Sequence, residues 1–406
     1  MRILLINQAF VAPTEPGHTR HYEIAQFMRQ RGDQMTIVAS DLNYQTGQRI
    51  TERSGLFSEQ VIDGVHVLRA YIYPALHRSF AWRVLSFISF MLTSIWAGLH
   101  AGSIDLVMGT TPPIFQAFSA WVVAFLRRKP FLLEVRDLWP IFAIDMGVLK
   151  NPILIKLSYL LENFLYRRAT KILVNSPAYY DYMLNKGVSP DKIKFIAYGT
   201  DIEMFNPQID GQQMRRALQF GDQFIVTYAG AMGLANNLDV VLQAAEYLRD
   251  EPSIRIVFFG DGKERSRLEQ TAKERGLTNV TFAGSRPKEQ MPQILAASDA
   301  CLAILKDIPM FRTTYPNKVF DYMAMARPTV LAIDGVIRQV IEEANGGIYV
   351  PPSSDVELAA AIRNLYDDRA LCKQLGDNAR AYVVSHFDRQ QKMLETWEFF
   401  KRIASS

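Results

Sequence analysis

The chain has 406 residues, of which 49% are hydrophobic and 21% are charged. This length exceeds one ordinary domain core, and this composition excludes a disordered or low-complexity chain. The net charge is +4, but residues 1–200 carry 21 Lys and Arg against 14 Asp and Glu. The basic half is therefore the better candidate to face an anionic surface, unless the excess is only a mild surface bias.

Two features indicate a cytoplasmic protein. Cys301 and Cys372 make neither a disulfide framework nor a zinc-binding spacing, which suits a reducing compartment. The apolar run from Ile3 to Ile6 is too short for the core of a signal peptide. We expect no nucleic-acid partner.

The longest apolar stretch, 84–99, contains 16 uncharged residues. It falls short of the roughly 20 residues that a membrane-spanning helix requires. Two readings remain open: a buried helix, or a helix in the membrane interface with Trp82, Arg83 and Trp96 at its ends.

Strand-like apolar runs alternate with helix-length amphipathic segments, which is the pattern of parallel sheets covered by helices. In the first half we predict strands at 2–7, 34–39, 65–70, 106–109, 131–134, 171–175 and 193–196, and helices at 19–30, 81–99, 114–126, 152–168 and 177–186. After a polar stretch at 206–222 a second series begins, with elements at 224–228, 238–249, 254–259, 264–275, 280–283, 291–296, 300–304, 318–325, 329–332, 337–343 and 348–350. We predict an α/β protein with Rossmann-like domains at 1–205 and 206–385, and a final helix within about 386–406 that packs back onto the first domain.

Glycine turns follow several predicted strands. Gly17 stands before a helix that Thr19 could cap, and Gly230 and Gly233 follow the strand at 224–228. Two more turns, at Gly260 and at 284–286, follow the next two strands, so the three turns of the second domain outline one rim. The dinucleotide fingerprint GxGxxG and the phosphate loop GxxxxGK[ST] are both absent, which removes the main support for a dehydrogenase or a P-loop enzyme.

Residues 306–328 combine cations with a helix start. Lys306, Arg312 and Lys318 surround a loop that ends at Pro316, and Asp321 lies in the first turn of the next helix. Cations and helix-terminal amides can neutralise a diphosphate, and a carboxylate there can accept hydrogen bonds from ribose hydroxyls. Alternatively, Asp321 only complements the helix dipole.

In the first domain the strand at 131–134 leads into Arg136 and Asp137. We expect both to be exposed at the carboxyl edge of the sheet, where Asp137 could contact a sugar hydroxyl or an acceptor. A buried structural salt bridge is the rival interpretation. Thr110, after the strand at 106–109, lies on the same rim.

An ordered series of segments resembles the family-4 glycosyltransferases, particularly those that transfer amino sugars of the L-fucosamine type to O-antigen and capsule. The resemblance covers nearly the whole chain and includes GHTRHYEIAQ, TTPPIFQA, EVRDLWP, YGTDIEMFNP, YAGAMG, FFGDGKERSRLE and PNKVFDYMAMARP. It implies the GT-B architecture, in which two facing Rossmann-like domains enclose an interdomain cleft. It also implies retention of anomeric configuration.

Carried over residue by residue, the resemblance implies that Gly17 and the turn at 230–233 line the diphosphate, that Ser285 and Arg286 meet the base, and that Asp321 binds ribose. The predicted site residues are Asp137, Arg312 and Lys318 as catalytic; Gly17, His18, Gly230, Gly233, Gly260, Ser285, Arg286, Lys306, Asn317 and Asp321 as donor-binding; and Arg20, Thr110 and Arg136 on the acceptor side. Several positions depart from the family pattern, namely His18, Ile141, Tyr198, Thr200, Asn236, Asn237, Thr313 and Asp321 itself.

We therefore predict a metal-independent, retaining transfer without a cofactor. The donor is a UDP-sugar, with an N-acetylated amino sugar favoured, and the acceptor is a lipid-linked or polysaccharide glycan at the inner face of the cytoplasmic membrane. Two alternatives stay open: a UDP-sugar 2-epimerase of the same architecture, and a non-catalytic membrane-associated assembly subunit.

Overall fold

The computed structural model describes residues 1–13, 19–43, 47–51, 55–75 and 80–405, with no side-chain account of residues 80 and 81. The chain forms two compact units: Met1–Ala197 with Met393–Ser406, and Tyr198–Lys392. In the described part, each unit contains one sheet covered by helices, as two Rossmann-like domains should. The predicted α/β fold class is confirmed.

The amino-terminal unit is built on a mainly parallel sheet. Its strands are β1 (Arg2–Ile6), β2 (Gln34–Ser40), β3 (Phe57–Ile62), β4 (Val65–Ala70), β5 (Leu106–Thr111), β6 (Phe131–Val135), β7 (Lys171–Val174) and β8 (Ile193–Phe195). Its helices are α1 (Arg20–Arg29), α2 (Phe80–His100), α3 (Ile114–Arg127), α4 (Ile141–Asp145), α5 (Pro152–Arg168) and α6 (Pro177–Asn185). The strand order is β3-β4-β2-β1-β5-β6-β7-β8.

Strand β3 is absent from the predicted strands, and it pairs antiparallel with β4 at the edge of the otherwise parallel sheet. Asp63 and Gly64 join the two strands, and both have positive φ angles, +47° and +81°. An Asp-Gly pair in this conformation is a common two-residue hairpin turn. The signal for β3 was therefore in the sequence, although the predicted strands do not include it.

Helices cover both faces of this first sheet. On one face α2, α3, α5 and α6 pack over a core that includes Phe90, Ala97 and Tyr179. On the other face α1 packs beside the end of the chain, where Phe400 and Ile403 are buried with Ile3. The indole N–H of Trp397 also donates to Asp33, at 2.6 Å.

The carboxyl-terminal unit has a fully parallel sheet of order β11-β10-β9-β12-β13-β14. Its strands are β9 (Phe224–Ala229), β10 (Ile254–Phe259), β11 (Val280–Gly284), β12 (Ala300–Ile304), β13 (Thr329–Ala332) and β14 (Gly347–Tyr349). Its helices are α7 (Gln212–Ala217), α8 (Asp239–Tyr247), α9 (Arg265–Glu274), α10 (Met291–Ala296), α11 (Asn317–Ala324), α12 (Val336–Ala344), α13 (Asp355–Asp367) and α14 (Arg369–His386), and α15 (Arg389–Ala404) ends the chain.

Helices α13 and α14 are absent from the sequence prediction, although both carry cap signals. The Ser354 hydroxyl accepts from the N–H of Glu357, and the Asp368 carboxylate accepts from the N–H of Leu371 at 2.8 Å. These side chains satisfy amides that the first turn of a helix leaves free. The predicted cap at Thr19 is wrong, because its hydroxyl donates to Glu23 at 2.6 Å and accepts no backbone N–H of α1.

The boundaries between the units fall after Ala197 and after Lys392, whereas the sequence predicts 205 and 385. Residues 198–205 are held by the carboxyl-terminal unit, since the Arg380 guanidinium donates to the carbonyls of Ile202 and Phe205, at 3.1 and 2.8 Å. The amide of Thr200 likewise donates to the carbonyl of Phe387, at 2.9 Å. The polar stretch at 206–222 therefore lies inside that unit and does not separate the two units.

Candidate functional site

The three glycine turns of the carboxyl-terminal unit meet at the carboxyl edge of its sheet. The amide of Gly230 donates to the carbonyl of Phe259, and the amide of Gly260 donates to that of Gly284, both at 2.9 Å. These bonds continue the pairing of β9, β10 and β11 beyond the strands themselves. The predicted rim is therefore one hydrogen-bonded surface.

Close packing requires glycine at position 260 of this rim but not at position 233. Gly260 has a φ of +138°, and a Cβ there would overlap the carbonyl oxygen of Gly230. Gly233, on the same rim, has open space instead, because the nearest atom to an added Cβ is an Asn236 oxygen at 3.7 Å. The two glycines thus differ sharply in what a side chain would cost.

We expect Gly260→Ala to destabilise the protein by about 2–3 kcal/mol, because the methyl group adds both a steric overlap and an unfavourable backbone conformation. Gly233→Ala is the matched control and should change stability by less than about 0.5 kcal/mol. Urea unfolding of both variants measures the difference. Equal stabilities would contradict the close approach of the two turns.

The amides of the first turn are mostly occupied. Met232 donates to the carbonyl of Asp261 at 2.8 Å, and Gly233 donates to the side-chain oxygen of Asn236 at 3.3 Å. Together with the Gly230 bond, this leaves the N–H of Ala231 as the one amide of residues 230–233 without an acceptor among the described residues. That the turn at 230–233 lines the diphosphate stays a prediction, and in this conformation Ala231 is the residue of the turn whose amide is available for it.

A lysine side chain lies against this turn. Lys318, in the first turn of α11, has its ammonium directly beneath Gly230, where any side chain would collide with it. The same ammonium lies 4.2 Å from the centre of the Tyr228 ring. Burial lowers the pKa of Lys318 to about 8, since desolvation disfavours the charged form. No carboxylate in the described part of the chain pairs with Lys318, and an unpaired cation at a glycine turn is suited to bind an anion.

Asp321 lies one turn further along α11. Its Oδ1 accepts a hydrogen bond of 2.5 Å from the hydroxyl of Thr200. Burial raises the pKa of Asp321 to about 6, although the Thr200 hydroxyl and the charge of Arg389 act in the opposite direction. An interaction with the helix dipole alone does not account for this hydrogen bond. To bind ribose, Asp321 must use its other carboxylate oxygen or give up the hydrogen bond from Thr200.

We expect Asp321→Asn to stabilise the protein at pH 7 by roughly 1–2 kcal/mol, allowing for partial exposure. The folded pKa of about 6 lies above the ordinary value of 3.8, so the contribution of Asp321 is fully present below pH 3.8 and is lost as the pH rises through 6. Urea unfolding of parent and variant should diverge between pH 4 and 6. Asp222→Asn, at an exposed position of the same unit, is the control. If the difference in unfolding free energy between parent and variant does not change with pH, the pKa of Asp321 is not raised.

The other predicted donor residues are distributed unevenly around this rim. Lys306 reaches it through its backbone, whose N–H donates to the carbonyl of Ala235 at 2.9 Å. Ser285, Arg286 and Asn317 are exposed. Arg312 is paired with Asp307 at 2.8 Å and stands 3.9 Å from Asp334, so its guanidinium is committed to carboxylates. The predicted phosphate role of Arg312 requires that these ion pairs break.

Three sequence departures have structural partners. Asn236 bonds the Gly233 amide, Asn237 adopts a left-handed φ of +48°, and its side chain donates to Ser353 at 3.2 Å. The Thr313 hydroxyl donates to the carbonyl of Met310 at 2.6 Å. Gly17 and His18 lie outside the described residues.

The carboxyl edge of the amino-terminal sheet contains a buried charged cluster. Glu134 of β6 contacts His21 at 2.7 Å and Arg20 at 3.0 Å, both in the first turn of α1. The other ring nitrogen of His21 contacts the side-chain amide of Asn7 at 2.9 Å. Since an amide N–H donates there, the ring is neutral and its second N–H donates to Glu134.

The pKa shifts in this cluster agree with that assignment. Burial lowers the pKa of His21, outweighing the nearby carboxylate. Burial opposes ionisation of Glu134, but its neighbours His21, which donates a hydrogen bond, and Arg20, which is charged, together lower its pKa. Arg20 is therefore a buried counter-ion in this structure, whereas the sequence prediction has it facing an acceptor.

Arg136 and Asp137 follow Glu134 and are partly buried, not fully exposed as the sequence predicts. The Arg136 guanidinium donates to the carbonyl of Thr111 at 3.3 Å. Burial raises the pKa of Asp137 to about 6, against the opposing effects of Arg136 and a hydrogen bond from Tyr179. Thr110 is fully buried, and its hydroxyl has no hydrogen-bond partner among the described residues.

The sequence reasoning missed Glu134, His21 and Asn7 as site residues. Both Glu134 and His21 fall inside quoted motifs, EVRDLWP and GHTRHYEIAQ, so a signal was present. A glutamate within an otherwise apolar strand of a parallel sheet needs a buried partner, and a histidine is a suitable one. Nothing in the spacing says that residues 113 positions apart will meet.

Comparison with known proteins gives the chemistry of these units. Residues 17–199 match the family described as Glycosyl transferase 4-like domain, and residues 210–382 match Glycosyl transferases group 1. The chain is a glycosyltransferase of the GT-B fold.

Relatives of this glycosyltransferase act in bacterial glycan synthesis. It is 23% identical over 379 residues to the putative colanic acid biosynthesis glycosyl transferase WcaI of Escherichia coli, covering 91% of this chain and 92% of WcaI. It is 23% identical over 235 residues to the O-antigen chain mannosyltransferase C of Escherichia coli, covering 57% and 61%. In structure it resembles HepE of Anabaena in complex with UDP, with a TM-score of 0.75 and 18% identity over 99% of this chain and 100% of HepE.

Proposed function

We propose that this glycosyltransferase uses a UDP-sugar donor, held at the glycine rim of its carboxyl-terminal unit with Lys318 as the principal phosphate ligand. The observation that carries the proposal is the Lys318 ammonium beneath Gly230, which pairs with no carboxylate of the described residues. A pyrophosphate is the dianion or trianion that such a cation, together with the amide of Ala231, would neutralise.

The chemistry proposed at this rim is departure of UDP from the sugar. Negative charge grows on the leaving phosphate oxygen as the glycosidic bond breaks, and a preorganised cation stabilises that charge more than it stabilises the bound substrate. Lys318 takes this role without a metal ion or cofactor. The phosphate oxygen then helps to accept the acceptor proton on the same face, so the anomeric configuration is retained.

We propose that the transferred group is an N-acetylated amino sugar and that the acceptor is a lipid-linked or polysaccharide glycan of a bacterial surface polymer. The names of WcaI and the O-antigen mannosyltransferase support the pathway class, and the complex of HepE with UDP supports the nucleotide. The acceptor is assigned to the amino-terminal unit, where Asp137 lies at the carboxyl edge of the sheet. The enzyme would work at the cytoplasmic face of the membrane.

A thermal-shift screen of nucleotide sugars tests the donor class. UDP-N-acetylhexosamines, UDP-hexoses and GDP-mannose are compared at equal concentration, since a ligand that binds only the folded form raises its stability with affinity. UDP-N-acetylhexosamines should give the largest increase in Tm. A larger increase with GDP-mannose would overturn the nucleotide assignment, and no increase with any donor would favour the assembly-subunit alternative. Incubation with donor alone separates the epimerase, which interconverts UDP-sugars without an acceptor.

A further inference from the structure

Three helices form one layer on the amino-terminal unit. Helices α2, α3 and α5 cover the same face of the sheet, and α3 packs between the other two. Aromatic contacts link them, as Phe87 of α2 stacks on Phe115 of α3, and Trp121 of α3 meets Phe164 of α5 edge-on. Their outer sides therefore form a continuous surface.

This layer concentrates the exposed apolar side chains of the protein. Among the described residues, eleven of eighteen large exposed hydrophobic side chains lie on α2, α3 and α5, whereas the whole carboxyl-terminal unit has three. On α2 they recur at Leu85, Ile88, Leu92 and Trp96, which is one face of a helix. An apolar surface of this kind marks an interaction site.

Length and composition alone would allow α2 to cross a membrane, and no other helix of the described residues passes that test. Core helices of soluble domains pass it too, and Phe90 and Ala97 of α2 are buried in the core of the unit. The helix thus covers the sheet with one face and exposes the other, which is the behaviour of an interfacial element and not of a span.

The charge of this layer is one-sided. Helices α2 and α3 contain no Asp or Glu, and the single carboxylate of α5, Glu162, is buried and bonded to Lys186, Tyr166 and Tyr182. Exposed cations adjoin the apolar side chains at the end of α3 and along α5: Arg128, Lys129, Lys156, Arg167 and Arg168. A partner that covers the layer must therefore be both apolar and anionic.

Helix α5 combines the two properties along one stripe. Ile153, Leu157 and Leu160 are 68%, 55% and 56% exposed, and Arg167 continues the same face two turns later. Arg167 borders a cavity of about 570 Å³ whose lining also includes Lys186 and Lys192. The rise from Leu160 to Arg167 is about 10 Å, comparable to the depth over which an interfacial helix meets headgroups and acyl chains.

We infer that the layer of α2, α3 and α5 docks on an anionic phospholipid bilayer, with the amino-terminal half of α5 among the acyl chains and the Arg167 cavity at the phosphate headgroups. This inference deepens the proposed function at the membrane and rests on it. It assigns the apolar contact chiefly to α5, whereas the sequence singles out 84–99 as the apolar segment. Apolar side chains supply the attachment, and the cations select anionic lipid.

Flotation of the full chain with vesicles tests the inference. Vesicles of phosphatidylcholine with 30 mol% phosphatidylglycerol, and of phosphatidylcholine alone, are compared at physiological ionic strength. The parent should bind the anionic vesicles at least tenfold more strongly. Leu157→Glu with Leu160→Glu should lower that binding at least tenfold, whereas Tyr247→Glu with Val356→Glu, at exposed apolar positions of the other unit, should leave it unchanged. Arg167→Gln with Arg168→Gln should weaken binding severalfold on anionic vesicles only.

The tested side chains are exposed, so the variants should fold, and their Tm and UDP affinity should match the parent. Unchanged vesicle binding of the Leu157 and Leu160 variant would overturn the inference. The inference would also be wrong if the parent does not bind vesicles but forms a dimer that this variant disrupts, because a second copy of the chain would then cover the layer. Vesicle binding without UDP binding would support the membrane surface and contradict the proposed donor function.

Discussion

Replacing Lys318 by Met is expected to weaken UDP binding by about 10–100-fold, because a charge-assisted contact to phosphate is worth about 1.5–3 kcal/mol. The loss in turnover should be larger, about 100–1,000-fold, since the phosphate carries more negative charge in the transition state. Calorimetric titration with UDP measures the first effect without knowledge of the acceptor. Lys273→Met, at an exposed position of α9, is the control.

The pH dependence of UDP binding separates a direct role of Lys318 from a structural one. With a pKa of about 8 in the free protein, Lys318 is mostly charged at pH 7 and mostly neutral at pH 9. UDP affinity of the parent should therefore fall above about pH 8, and the Met variant should lack that fall. If Lys318→Met loses UDP affinity but keeps the pH dependence of the parent, Lys318 does not contact the phosphate.

Stability should move in the opposite direction to binding. The folded pKa of Lys318, about 8, lies below the ordinary 10.5, so the partly buried cation costs stability below pH 8, and this cost disappears between pH 8 and 10.5. Lys318→Met should therefore raise the free energy of unfolding at pH 7 by about 1–3 kcal/mol. A gain in stability together with a loss of UDP affinity in Lys318→Met would show that the charge of Lys318 serves binding and not the fold.

Replacing Glu134 by Ala is expected to destabilise the protein by about 3–5 kcal/mol, because removing one partner of a buried ion pair leaves the other charge uncompensated. The residue left behind is Arg20, which is 9% exposed at its side chain, and His21 loses the acceptor of its N–H. Urea unfolding at pH 7 measures the loss. Glu59→Ala, at an exposed position of β3, should change stability by less than about 0.5 kcal/mol.

A double variant identifies the source of that loss. Glu134→Leu with Arg20→Met removes both charges and should recover much of the stability lost in Glu134→Ala, because buried pairs replaced by apolar groups are often neutral. If the double variant is no more stable than the single one, the loss arises from packing and not from the unpaired charge. The carboxylate itself should stay ionised down to acid pH, since its pKa is lowered.

Much of the fold could be predicted because its signals are local. The alternation of apolar strands and amphipathic helices predicts an α/β protein, and the glycine turns after β9, β10 and β11 predict a rim at one edge of a parallel sheet. The hairpin of β3 and the caps of α13 and α14 were equally local, at Asp63, Ser354 and Asp368, and a closer reading of turn chemistry would have found them. The boundaries at 197 and 392 depend instead on hydrogen bonds from Arg380 and Thr200 to distant backbone.

The site shows the same division. Lys318 and Asp321 could be singled out because they adjoin a helix start after a loop rich in cations, but the sequence prediction gives Arg312 and Lys318 the same role. Only the folded chain decides that Arg312 pairs with Asp307 while Lys318 lies beneath Gly230. Asp321 likewise finds Thr200 across 121 positions.

By itself the sequence determined the class of the protein, its two-domain plan and the residues from which a donor site can be built, because periodicity, turns and motifs act over short distances. The tertiary structure alone decided which charges are buried, which are paired and which remain available. The physical reason is that burial and ion pairing depend on neighbours brought together by strand order and helix packing, and these set the pKa values of Lys318, Asp321 and Glu134.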